Sequence, residues 1–176
     1  MKYLIILLFS MLFLLACNNK TASGTRCNNG NLDSIKVYYY NYSFISPLNM
    51  KCSDIKNSKS MPLENSTSDY EGVISKVIED CNVLMDIEKE IQQQQPRNFI
   101  ASKDARILCI LYHKDGTTSE LCLCQDSDVK YIYINGVLQN FNFPLVYLIK
   151  KNSGYYEWFT EKEKLGFEEL NYCEHF

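Results

Sequence analysis

The chain has 176 residues, with 18 Lys and Arg against 21 Asp and Glu, a formal charge of −3 and 46% apolar residues. A mildly acidic chain with no basic cluster carries no electrostatic footprint for nucleic acid, so that class of partner is set aside on charge alone. The length suffices for one hydrophobic core without disulfide staples, which bears on how eight cysteines are to be read.

Residues 1–17 read MKYLIILLFSMLFLLAC. Lys2 supplies a short positive end, and Leu4 to Leu15 form an apolar run that only Ser10 interrupts. About a dozen apolar residues are too few to span a bilayer, which takes about 20, but they suit the core of an export signal. The string Leu14-Leu15-Ala16-Cys17 resembles the lipobox of bacterial lipoproteins, a resemblance confined to residues 1–17. It implies a signal peptide over 1–16, cleavage before Cys17, a diacylglyceryl group on the Cys17 thiol and, often, acylation of the new amine. The membrane would then be a partner through the N-terminal lipid, since two or three acyl chains at about 0.8 kcal/mol per buried CH₂ anchor a protein stably. Asn18 stands where some enterobacterial lipoproteins carry the Asp that retains them in the inner membrane, which favours an outer membrane in a host that has one. Loss of Lys2 takes the charge from −3 to −4.

Residues 17–33 are polar and small, and are expected to form a lipid-anchored flexible tether. A single α+β domain is expected over 34–176. Ser34–Ile45 is rich in β-branched and aromatic residues and reads as a strand with both faces covered, inside a sheet rather than at its edge. Residues 49–68 read as a long loop in which Cys52 and Ile55 dip toward the core. Ser68-Asp69-Tyr70-Glu71 has capping-box spacing ahead of Ile74, Val77, Ile78, Cys81, Leu84, Met85 and Ile91, so one long amphipathic helix is expected, ending near Gln95 ahead of Pro96.

Two hairpins follow. Arg106–Tyr112 and Ser119–Cys124 flank Asp115-Gly116; Val129–Ile134 and Val137–Phe141 flank Asn135-Gly136, a strong signal for a two-residue type I′ turn. Phe143-Pro144 opens a short apolar helix that ends near Gly154, residues 155–159 are aromatic, and Thr160–Glu163 caps a last helix reaching Leu170. The expectation is an α+β fold. Its mostly antiparallel sheet has about five strands (one strand, a long helix, then two hairpins) packed on one amphipathic helix, with short C-terminal helices.

Beyond Cys17 there are seven cysteines: Cys27, Cys52, Cys81, Cys109, Cys122, Cys124 and Cys173. Their number is odd, so at least one stays unpaired within a monomer. Cys81, on the apolar stripe of the long helix, reads as a small core residue. The first hairpin admits two registers. A two-residue loop places Cys109 opposite Cys122 with Cys124 and His113 on the same face, a patch fit for Zn²⁺ or a soft copper ion, or for a cross-strand disulfide. A three-residue loop, Lys114-Asp115-Gly116, slips the register by one and turns Cys109 to the opposite face. Simple packing is the plainer reading of these cysteines, and no metal ligand or cofactor is assigned.

Of 13 tyrosines, Tyr38, Tyr39, Tyr40, Tyr131 and Tyr133 are placed as strand neighbours, either packed in the sheet or forming a recognition surface. For catalysis the inventory is thin. His113 and His175 have no Ser or Cys beside them in a nucleophile motif, and no phosphate-cradling glycine loop occurs. No catalytic residue is assigned. The reading is a membrane-anchored envelope lipoprotein acting as a non-catalytic module that binds a protein or peptide. A small-ligand or metal-binding lipoprotein, or an enzyme of another mechanism, is the alternative.

Overall fold

A computed structural model describes residues 30–40, 50–57, 73–98, 104–126 and 129–173; the expected signal segment 1–16, Cys17 and the expected capping string 68–71 lie outside them. The described chain is α+β, built on a six-stranded antiparallel sheet in the order β2-β1-β3-β4-β5-β6. The strands are β1 (Leu32–Tyr39), β2 (Ile74–Ile78), β3 (Ala105–His113), β4 (Thr118–Asp126), β5 (Val129–Ile134) and β6 (Val137–Gln139). The helices are α1 (Cys52–Ile55), α2 (Cys81–Gln92), α3 (Phe143–Asn152), α4 (Glu161–Lys164) and α5 (Glu168–Cys173), with a 3₁₀ turn over Tyr155–Trp158.

β1 lies between β2 and β3, the interior place its doubly apolar pattern demands. It begins at Leu32, two residues before the expected start, because Asn31 N donates to both carboxylate oxygens of Glu88 and Leu32 is already buried. Both hairpins form. Asn135 and Gly136 have φ of 48° and 78° in a two-residue turn that pairs Ile134 with Val137, the positive angles a type I′ turn requires. α3 starts with the Asn142 side chain accepting from Leu145 N and stops before Gly154, whose φ is 72°.

The largest departure from expectation concerns the long helix. The long helix is two elements: Ile74–Ile78 is an edge strand paired with β1 (Ile35↔Ile78, Val37↔Lys76, Tyr39↔Ile74), and helix begins only at Cys81. Ile74 and Ile78 are four apart, a spacing that shares a face in a helix and in a strand alike, so periodicity could not separate the two. The open edge of β1 decides for the strand, and Asp80 is the cap, its carboxylate accepting from Asn82 N and Val83 N at 2.9 and 3.1 Å. Among the described residues the sheet therefore has six strands, against the expected number of about five. The last helix is likewise two short ones, α4 and α5, the first closed by the Thr160–Glu163 capping box.

The sheet has two unlike faces. On one, Ile35, Val37, Tyr39, Ile107, Leu111, Leu121 and Ile132 meet Leu84 and Ile87 of α2 and Leu145, Val146 and Ile149 of α3. On the other, Tyr40, Leu108, Cys122, Cys124, Tyr133 and Leu138 cluster with Ile55 of α1. Tyr39, Tyr40 and Tyr133 are thus core residues. Tyr39 donates to Ser153 O at 3.0 Å and accepts from Trp158 Nε1 at 3.2 Å, which fastens the end of α3 and the 3₁₀ turn to β1.

Candidate functional site

The chemistry-bearing residues are sorted by the register of the β3–β4 hairpin. Tyr112 pairs with Thr118, leaving a loop in which Lys114-Asp115-Gly116 turns the chain, with Gly116 at φ 83° and Asp115 Oδ1 accepting from both Thr117 N and Thr117 Oγ1. This is the three-residue register: Cys109 lies opposite Leu121, and Leu108 opposite Cys122. Cys109 therefore faces the helices, away from Cys122 and Cys124, and no Cys109–Cys122 bridge forms. Burial pushes its thiol far above the ordinary range, which makes it an inert packing group.

His113 goes with Cys109. It lines a 200 Å³ hollow with Leu32, Leu111, Ser119 and Leu121 under α2. Its Nε2 lies 2.7 Å from Ser119 Oγ and its Nδ1 3.3 Å from Asn31 Nδ2. The neighbouring serine was not legible from spacing, since the hairpin brings it in from the facing strand. Of the two neutral tautomers, the one with its proton on Nε2 satisfies both contacts, accepting from the Asn31 amide and donating to Ser119 Oγ. That is the tautomer opposite to one that takes a proton from a serine, and the contacts tie β3, β4 and the start of β1 together. His175 lies outside the described residues.

On the other face three sulfurs meet. Cys122 and Cys124, two apart on β4, share a side, at 1% and 3% exposure. Cys52 opens α1 and is delivered to them by two anchors: Met50 N donates to Asp104 Oδ1 at 3.2 Å, and Ala105 N donates to Met50 O at 2.9 Å. Ile55, fully buried, seats the rest of the turn. Cys52 and Cys122 form a disulfide with a Cα–Cα distance of 6.1 Å across 70 residues of sequence, while Cys124 keeps its thiol, 3.7 Å from Cys122 Sγ. All three Sγ atoms lie within 4.8 Å of one another. Tyr133 and Tyr131 stand across β5 from Cys122 and Cys124. The expectation for Cys52, that it dips toward the core, is met; its bond to Cys122 was not foreseeable, because spacing does not specify connectivity. Cys81 is corrected too: it is half-buried and disulfide-bonded rather than a packing thiol.

Two further features complete the surroundings. Glu169 of α5 has no exposed surface, and its carboxylate takes Lys150 Nζ at 2.5 Å, Lys130 Nζ at 3.5 Å and Tyr156 Oη at 3.3 Å. Burial pushes this carboxyl up, but the Lys150 and Lys130 ammonium groups outweigh it and hold the group below its ordinary value. Lys150 lies over the rings of Tyr155 and Phe167 at 5.0 and 4.8 Å. Between α2 and α3 runs a groove of about 430 Å³ lined by Val83, Pro144, Tyr147 and Leu148, with Asp86, Lys89, Glu90 and Lys151 at its rim.

No protein-family model, curated protein or solved structure matches this chain.

Proposed function

We propose that the protein is a lipid-anchored, extracytoplasmic, non-catalytic module that binds a protein or peptide, tethered to the membrane through Cys17. The observation that carries the address is the oxidation state of its cysteines. Cys52 and Cys122 are bonded, and Cys81 is bonded as well; such bonds persist in oxidising compartments and are rare in the cytosol. That supports the export reading of residues 1–16 independently of the lipobox. Asn18 favours an outer-membrane position in a host with two membranes.

The groove between α2 and α3 supports the binding reading. Its volume lies in the usual range for ligand clefts, and it offers an apolar floor with a few charged groups. A short peptide presenting one apolar side chain between polar neighbours fits that lining.

Two measurements test the proposal. Mass spectrometry of the N-terminal peptide should find the Cys17 side chain bearing a diacylglyceryl group, and Cys17→Ser should release the domain from membranes or leave the precursor uncut; an unmodified Cys17 or an unchanged membrane fraction would refute the anchor. Display selection with random peptides should enrich sequences whose binding is lost in Leu148→Glu. Selection that enriches nothing, or that ignores Leu148→Glu, removes the groove from the account.

A further inference from the structure

The sulfur cluster carries an inference that does not depend on the groove. An internal thiol–disulfide exchange would need Cys124 Sγ in line with the Cys52–Cys122 bond. An in-line attack on Cys122 from 3.7 Å would put Cys124 Sγ about 5.7 Å from Cys52 Sγ, given an ordinary S–S bond. The observed enclosure is 4.8 Å. The three sulfurs form a triangle, not a line, and a triangle of sulfurs is the arrangement that coordinates a cation.

The dimensions agree. With metal–sulfur bonds of about 2.3 Å, thiolates around one ion stand about 3.8–4.0 Å apart in tetrahedral or trigonal geometry. Cys122 and Cys124 already meet that spacing at 3.7 Å. Only Cys52 has to retreat, by about 2 Å once its bond opens. It is the half-buried member of the three and sits on a single helical turn, whereas Cys122 and Cys124 are fixed by β-ladders on both sides. The mobile ligand is thus also the one nearest solvent.

We propose that Cys52, Cys122 and Cys124 form a redox-gated site for a thiophilic d¹⁰ cation, Zn²⁺ or Cu⁺. In the oxidised state two of the three ligands are bonded to each other and the site is closed. A dithiol reductant gives two electrons and two protons to the Cys52–Cys122 bond, becoming a disulfide itself and leaving two thiols. The three thiols then bind the cation and release up to three protons. Softness of the all-sulfur donor set selects these ions over Mg²⁺ or Ca²⁺.

The test uses the full mature chain, reduced with a phosphine under anaerobic conditions and freed of reductant, then titrated with Zn²⁺ alone and with Cu⁺ alone against chromophoric chelators. One equivalent should bind tightly in at least one arm, and none in the oxidised protein. Bound metal should mask Cys52, Cys122 and Cys124 together from alkylation. Because reduction also frees other cysteines, two variants assign the site. Cys124→Ser leaves the Cys52–Cys122 disulfide intact, so its oxidised form should still unfold in one cooperative transition. After reduction its affinity should fall by more than the about 10- to 100-fold that losing an outer-shell partner costs. Cys109→Ser, on the opposite face, should bind as the native protein does. Cys52→Ser should repeat the Cys124→Ser loss, which keeps the test decisive if either variant folds poorly. Absence of one-equivalent binding in both arms, equal binding by the oxidised protein, or undiminished binding by Cys124→Ser would overturn the proposal.

Discussion

The two faces of the sheet are held by different physics. The helical face is covered by α2 and α3, of 12 and 10 residues, which together bring five fully buried aliphatic side chains onto the strands. At about 1.5–3 kcal/mol for each buried side chain, that covering is held by apolar burial. On the opposite face, the described cover is α1, four residues with one buried side chain, Ile55. A single turn has too few hydrogen bonds to persist alone, and here a covalent bond to β4 holds it. A covering element too short to be retained by burial is retained by a cross-link instead, and the same shortness makes its cysteine the one ligand that can move.

The comparison predicts unequal consequences. The largest belongs to Cys52→Ala: removing a cross-link that closes a loop of about 70 residues costs about 4 kcal/mol in the chain-entropy account. Urea unfolding of the oxidised protein checks it, and a loss under about 1 kcal/mol would mean α1 is held by packing after all.

The helical face has its own weak point in Glu169. Glu169→Ala leaves Lys150 buried without its carboxylate and should cost about 3 kcal/mol. The pH dependence follows from the direction of the shift. The folded carboxyl lies below its usual value of 4.5, so its contribution is fully present above about pH 4.5 and is lost as pH falls through the folded value. The stability difference between native protein and Glu169→Gln should therefore shrink on acidification; a difference constant from pH 7 to pH 3 would contradict the ion-pair account.

Smaller effects sharpen the rest. Asp80→Ala should cost about 1 kcal/mol, the usual worth of an N-cap, with hydrogen exchange accelerated in the first turn of α2. Were residues 74–92 one continuous helix, the substitution would be nearly silent. Ser119→Ala should cost about 1 kcal/mol or less, and an activated-serine reagent should leave Ser119 unlabelled, because the imidazole donates to it.

Much of the fold was legible because its signals are local. Asn135-Gly136, Pro144 at the start of α3, and Thr160 with Glu163 act within three or four residues, and each does what its chemistry implies, while the Asn142 cap of α3 emerged only in the structure. The hairpin register was legible only as a pair of alternatives, since Asp115-Gly116 serves both a two- and a three-residue loop. The Asp115–Thr117 hydrogen bonds accompany the longer one. The candidate site was half legible: Cys122 and Cys124 share a face in any register, but their third partner comes from 70 residues away.

From sequence alone, then, come the α+β class, the two hairpins and the ends of α3, because turn chemistry and capping need no knowledge of distant neighbours. Tertiary structure alone decided that Ile74–Ile78 is a strand, that Cys52 bonds Cys122, and that Glu169 is buried between Lys150 and Lys130. In each case two local readings are equally acceptable. The choice falls to a partner that chain reversal brings near: an open strand edge, a facing thiol, or an ammonium group awaiting its counter-charge.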